Sequence, residues 1–168
     1  MPSNIRRLAD QFQLVAGIIP LDLQTARAGD WVSMKYYNHC SIIVFKGIGT
    51  AGDDPVVSIL QASAVAGTGS KALNTERLSI KVGATALTAI GAFTEVTQAA
   101  GATYSDATHA ENEAIYVFDI NAEDLDVEGG FDCVSVSIAD TGTNPQLGCA
   151  LYLLSGTRQT PPPSAIVD

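Results

Sequence analysis

The chain has 168 residues, 46% of them hydrophobic and only 16% charged, and its net charge is −9. The length fits one domain with a real core, and a charge content below the roughly 25% of an ordinary soluble domain leaves weakly polar surface suited to contact with neighbours. Nine Lys and Arg against eighteen Asp and Glu give no basic footprint for phosphates, so composition argues against a nucleic-acid partner. No apolar run reaches the roughly 20 residues that a membrane-spanning helix needs, and the start lacks the long apolar stretch of a signal peptide, so no membrane partner is expected.

In chain order, residues 3 to 12 fit a short helix, with Ser3 as N-cap and Ile5, Leu8, Ala9 and Phe12 on one face. A helix this short is marginal alone and needs a surface to lie on. Residues 1–20 are therefore read as an N-terminal arm, 21–156 as the body and 157–168 as a C-terminal tail of one domain. From Gly29 onward the pattern is strand after strand. In 30–37, Val32, Met34 and Tyr36 alternate with Ser33 and Lys35, which places Trp31 and Tyr37 together on the opposite face. The run CSIIVF at 40–45 is continuously apolar and β-branched, as in a strand covered on both faces. Further strands are expected at 55–62, 78–82, within 86–98, and at 114–120, 131–138 and 147–154. A single helical turn is expected at 122–125, with Asn121 as its cap.

Gly- and Pro-containing turns separate these runs, and no crossover helices link them. The expected fold is all-β: an antiparallel sandwich, jelly-roll-like, of about eight strands. The tail around Pro161, Pro162 and Pro163 reads as extended polyproline, which cannot join a central sheet because proline lacks the N–H donor.

Several segments imitate chemical motifs. Gly47-Ile-Gly-Thr-Ala-Gly52 has the spelling of a dinucleotide-binding loop, but Asp53, Asp54 and Pro55 follow instead of a helix N-terminus. Gly67-Thr-Gly-Ser-Lys71 lacks the adjoining Lys-Ser/Thr and the loop length of a phosphate cradle. Asp124, Asp126 and Glu128 echo the first half of a calcium loop, yet the twelfth position is Ser135 in place of the bidentate Glu. They are weak metal candidates beside the reading as a solvated acidic turn. His39 and Cys40 are strand neighbours and point to opposite faces, so they cannot act as a dyad. His109 falls in a polar loop. Three cysteines, Cys40, Cys133 and Cys149, read as buried thiols. No catalytic residue, cofactor or enzyme activity is expected.

Three segments carry a resemblance: residues 20–37 (PLDLQTARAGDWVSMKYY), 41–62 (SIIVFKGIGTAGDDPVVSILQA) and 131–158 (FDCVSVSIADTGTNPQLGCALYLLSGTR). Over roughly 20–158 the chain resembles small virion proteins of tailed phages, among them capsid decoration, or cement, proteins. The resemblance implies a β-rich protein bound outside the major capsid protein, located on the virion surface after synthesis in the bacterial cytoplasm. It brings no catalytic residues. Self-association as a dimer or trimer is expected, with contacts through Ile5, Leu8 and Phe12 of the arm, the aromatic pair Trp31 and Tyr37, and Pro161, Pro162 and Pro163. The alternatives are a head–tail connector or tail component and, in another class, a carbohydrate-binding jelly roll.

Overall fold

The computed structural model describes residues 7–83, 91–157, 159 and 161–167. Among these the chain is all-β, with helix limited to two short 3-10 turns, Leu8–Asp10 and Ala122–Asp124. The strands are β1 (Gln13–Asp22), β2 (Arg27–Ala28), β3 (Val32–Ser33), β4 (His39–Lys46), β5 (Val57–Ala62), β6 (Lys71–Ala72), β7 (Thr75–Val82), β8 (Thr94–Gly101), β9 (Thr103–Tyr104), β10 (Ala114–Asn121), β11 (Cys133–Ile138) and β12 (Leu147–Ser155). They form two six-stranded sheets. The first runs β1-β12-β4-β10-β7-β8, and the second runs β2-β11-β5-β6, with β3 also on β11 and β9 on β5. Every pairing is antiparallel.

Alternation puts one set of side chains from each strand between the sheets. Ile42 and Val44 of β4, Tyr116 and Phe118 of β10, and Tyr152 and Leu154 of β12 join Val57 and Ile59 of β5 and Val134, Val136 and Ile138 of β11 in a single core. Tyr104 of β9 stands edge-on to Tyr116 at 5.3 Å and to Phe118 at 6.2 Å between centroids. Such pairs each add about 0.5–1.5 kcal/mol beyond burial.

Tyr152 links the two sheets by hydrogen bonds as well. Its hydroxyl donates to the carbonyl of Asp30 at 2.9 Å and accepts from the N–H of Val136 at 3.1 Å. Glycines flank it where nothing larger fits: a Cβ at Gly17 would lie 2.6 Å from the Tyr152 ring, and one at Gly29 would lie 2.6 Å from its hydroxyl. Gly17 also sits at a register shift of β1 against β12, between Ala16 and Ile18. The bulge and the tyrosine therefore occupy one another's space.

The expected strands at 40–45, 55–62, 78–82, 114–120, 131–138 and 147–154 correspond to β4, β5, β7, β10, β11 and β12, and the turn after Asn121 carries a capping box formed with Asp124. Other expectations need correction. The helix over 3–12 is absent from the described part of that segment, where only Leu8–Asp10 makes a 3-10 turn; Ile5 and Ser3 lie outside the described residues. Residues 13–20, read as arm, are the long edge strand β1. The strand over 30–37 shrinks to Val32–Ser33, both buried, followed by a turn at Tyr36 and Lys35. In the segment 86–98 only the last five residues lie in β8, and 84–90 are outside the described residues.

The tail folds back onto its own body. The N–H of Ser33 donates to the Ala165 carbonyl at 2.6 Å, the Tyr37 hydroxyl donates to the Pro163 carbonyl, and Ala165 is buried in the core cluster.

Tyr152→Phe removes the hydroxyl but not the ring, leaving the Val136 N–H and the Asp30 carbonyl without their partner. The expected loss is about 1–3 kcal/mol of unfolding free energy, read from the urea midpoint at an unchanged m-value.

Candidate interaction surface

The remaining side chains of the first sheet point away from the core, and the register places them in rows. One row crosses Ala16 of β1, Leu151 of β12, Ile43 of β4 and Val117 of β10. The next crosses Cys149, Phe45 and Ile115. On the other side lies Leu14, Leu153, Ser41 and Asp119. An antiparallel sheet with one wet face normally carries polar residues there. Here the centre of the outer face is apolar, and none of these side chains belongs to the core cluster. Ile43, Ile115, Val117, Cys149, Leu151 and Leu153 are half-buried by their neighbours alone, while Leu14 is 51%, Phe45 44% and Leu147 66% exposed.

Polar groups frame this centre. At one end Asp119 accepts a 2.6 Å hydrogen bond from the Ser41 hydroxyl and lies 3.3 Å from His39 Nε2. Along one side the β7–β8 hairpin carries an Arg77–Glu95 ion pair at 3.3 Å and Lys81, whose ammonium sits 5.5 Å from the centre of the Phe93 ring. An apolar centre with a polar rim is the anatomy of a protein–protein interface.

The residues singled out from sequence lie elsewhere, and the structure does not gather them into one patch. Leu8 is exposed and Phe12 half-buried at the approach to β1. Trp31 is half-buried, with its indole against the turn at Gly67. Tyr37 is 2% exposed and holds the tail. The two aromatics share no strand face, because β3 ends at Ser33. Pro161 is exposed, while Pro162 and Pro163 are half-buried in the folded-back tail. Cys40 and Cys133 are buried, but Cys149 is half-buried on the outer face.

The motif-like segments serve as local anchors. The Gly-rich run 47–52 ends at Asp53, whose carboxylate accepts from the Asn144 backbone N–H at 2.9 Å and its side-chain amide at 2.7 Å. Lys71 bonds Asp126 and sits 4.1 Å from the centre of the Phe131 ring. The carboxyl of Asp126 is held below its usual range by that bond and by the Gly129 N–H. Asp124 accepts from the Asn121 N–H at 2.7 Å, and Glu128 is exposed. Among the described residues no group of three His, Cys, Asp or Glu side chains is placed to hold a metal ion. His109 is bonded at 2.8 Å to Asp106, a buried side chain that also accepts from the Thr108 and His109 N–H groups and so fixes this turn.

Sequence reasoning missed Lys46. It is fully buried on the inner side of β4, and its ammonium donates to the carbonyls of His109 at 2.8 Å, Ala110 at 2.9 Å and Asn112 at 2.6 Å. Burial lowers its pKa, against the pull of Asp106 and Asp54. The one available cue was a lysine falling on the inward parity of an otherwise apolar strand.

No known family model matches the chain, and no curated protein sequence matches it. Among solved structures it is similar to the SPBc2 prophage-derived protein YomS, at 9% identity and a TM-score of 0.41, over 90% of this chain and 100% of that one. A likeness at that level establishes neither a shared fold nor a shared function. No helix among the described residues is long and apolar enough to cross a membrane.

Burial pushes the Cys40 thiol from 9.0, and the Tyr104 and Tyr152 hydroxyls from 10.0, up to about 12 in each case. The folded protein therefore keeps protons that the unfolded chain releases. Stability is complete below the ordinary values and is lost as pH rises toward the folded ones. Lys46, lowered, acts in the opposite sense, but it is one group against three. Urea midpoints should be level near neutrality and fall steadily between about pH 9 and about pH 12; a midpoint that rises over that window would contradict the assignment.

Proposed function

We propose that this chain is a structural protein of a tailed-phage virion, bound to the outside of the capsid shell as a cement. The carrying observation is the centre of the first sheet, β1, β12, β4 and β10, apolar on both faces although the described residues cover only one of them. A face built in this way is stable when protein lies against it. The sequence resemblance over about 20–158 supplies the context in which such a partner, the major capsid protein, is at hand.

The buried polar groups described above support a structural rather than a catalytic role. Lys46, Asp106 and the Tyr152 hydroxyl each hold backbone in place, which makes a stiff body. We read the strand order β1-β12-β4-β10 facing β2-β11-β5-β6 as a jelly roll, with the β7–β8 hairpin added to one edge.

Cementing follows from mass action. A protein that binds the assembled lattice and not its free subunits stabilises the lattice by RT ln(1 + [L]/Kd). Repetition of the contact over a symmetric shell adds avidity without any new contact.

The test uses capsid shells lacking this protein. Added protein should co-sediment in fixed proportion to the shell subunits and raise the temperature at which the shells release DNA. Ile115→Lys, on the outer face, should weaken attachment at least about tenfold, which corresponds to 1.4 kcal/mol. Shells that ignore the protein would overturn the cement reading. Binding at only about a dozen sites per particle, as the ring symmetry of a connector would give, would replace it with the head–tail role.

A further inference from the structure

The loop before β10 turns three backbone carbonyls onto one buried point. The Lys46 ammonium occupies that point, 2.8 Å from the His109 oxygen, 2.9 Å from that of Ala110 and 2.6 Å from that of Asn112. We infer that residues 109–112 form a binding site for a primary ammonium in their own right. Lys46 is its tethered occupant, and a free alkylammonium is the ligand it takes when that side chain is shortened. The inference is independent of the capsid reading.

The site is shaped by bonds that do not involve the lysine. Asp106 Oδ1 accepts from the N–H groups of Thr108 at 3.1 Å and His109 at 3.2 Å, and its Oδ2 lies 2.8 Å from His109 Nδ1. The Asn112 N–H closes the turn onto the His109 carbonyl at 3.1 Å, and its side-chain amide donates to the Gly83 carbonyl at 2.9 Å. The Gly83 N–H in turn donates to the Glu113 carbonyl at 2.9 Å. The loop is thus pinned at both ends. Carbonyls grouped in this way stand in for the hydration shell of a cation.

Charge and chemistry define the occupant. The carboxylates of Asp106 and Asp54 both favour a positive charge at this point. Acceptors are in excess around it: Asp54 Oδ1 and Gln146 Oε1 are buried and have no hydrogen-bond partner among the described residues. Three carbonyls match the three N–H bonds of a primary ammonium, and the carbon stem takes the fourth direction. Distances of 2.6–2.9 Å are those of N–H donors to oxygen, longer than the roughly 2.0–2.6 Å of magnesium and calcium ligands.

The surroundings are closed. Gly49, from the Gly-rich run 47–52, packs so near that a Cβ on it would lie 2.7 Å from the Ala110 oxygen. Lys46 and Gln146 are 0% and 1% exposed. Shortening Lys46 to alanine therefore leaves an enclosed channel with the length of a propyl chain, ending at the three carbonyls.

The test is thermal unfolding of the full chain at neutral pH for the wild type, Lys46→Ala and Lys46→Met. Lys46→Ala should melt below the wild type. n-Propylammonium chloride should raise its melting temperature in proportion to the logarithm of concentration, as a ligand of the folded state does. Tetramethylammonium chloride, a cation without N–H groups, should not. The wild type and Lys46→Met, whose stems fill the channel, should respond alike to the two salts. If Lys46→Ala does not fold alone, the readout becomes its refolding yield in each salt. Equal effects of the two salts on Lys46→Ala overturn the inference, and so does an equal propylammonium gain in Lys46→Met. Shell attachment is read separately on the unaltered protein, so failure here and failure of the cement reading are distinct.

Discussion

The constraint behind this molecule is the two-residue period of its first sheet combined with apolar residues at both parities. In β4, Cys40, Ile42 and Val44 face the core, and Ile43 and Phe45 face out. In β12, Ala150, Tyr152 and Leu154 face in, and Cys149, Leu151 and Leu153 face out. The inner set is covered by the second sheet. The outer set is covered by nothing in the described chain, and a sheet of this composition gains by burying its second face too. Among the described residues one layer of the sheet is covered and the other is open.

The polar interactions explain why the body can serve as a stiff support. Lys46 closes the loop before β10 with three carbonyl bonds, Asp106 fixes the turn beneath it, and Tyr152 ties β12 to β11 and to the chain entering β3. Each satisfies backbone groups that would otherwise be buried without a partner. The tail belongs to the same framework. It is anchored through Pro163 and Ala165 and closes the side next to β3. The apolar surface left open by the described residues thus lies on the sheet face, while the C-terminal tail that the sequence favoured as a contact is tied down at Pro163 and Ala165.

Much of this was legible in the sequence, and the failures have physical causes. The runs at 40–45, 114–120 and 147–154 read as strands, and in 40–45 β-branched and apolar residues at both parities pointed to cover on two faces, whereas the described residues cover one and leave Phe45 exposed. β1 was missed because Gly17 and Pro20 interrupt its pattern; an edge strand tolerates Pro, and the bulge at Gly17 makes room for Tyr152. Trp31 and Tyr37 were placed on one face by an alternation that the backbone abandons after Ser33. The return of the tail to Ser33 and Tyr37 is a long-range contact with no local signature, as is the role of Lys46. The outer face itself needed the registers, since only pairing shows that Ala16, Leu151, Ile43 and Val117 form one row.

The central claim, that the outer face of the first sheet is covered by protein in the working state, is tested most directly by carbene footprinting of assembled particles against dilute free protein. The account predicts strong protection of Leu14, Ile43, Phe45, Ile115 and Leu151 in the particle, with Val127 labelled alike in both. Equal labelling of the five face residues in the two states would contradict it.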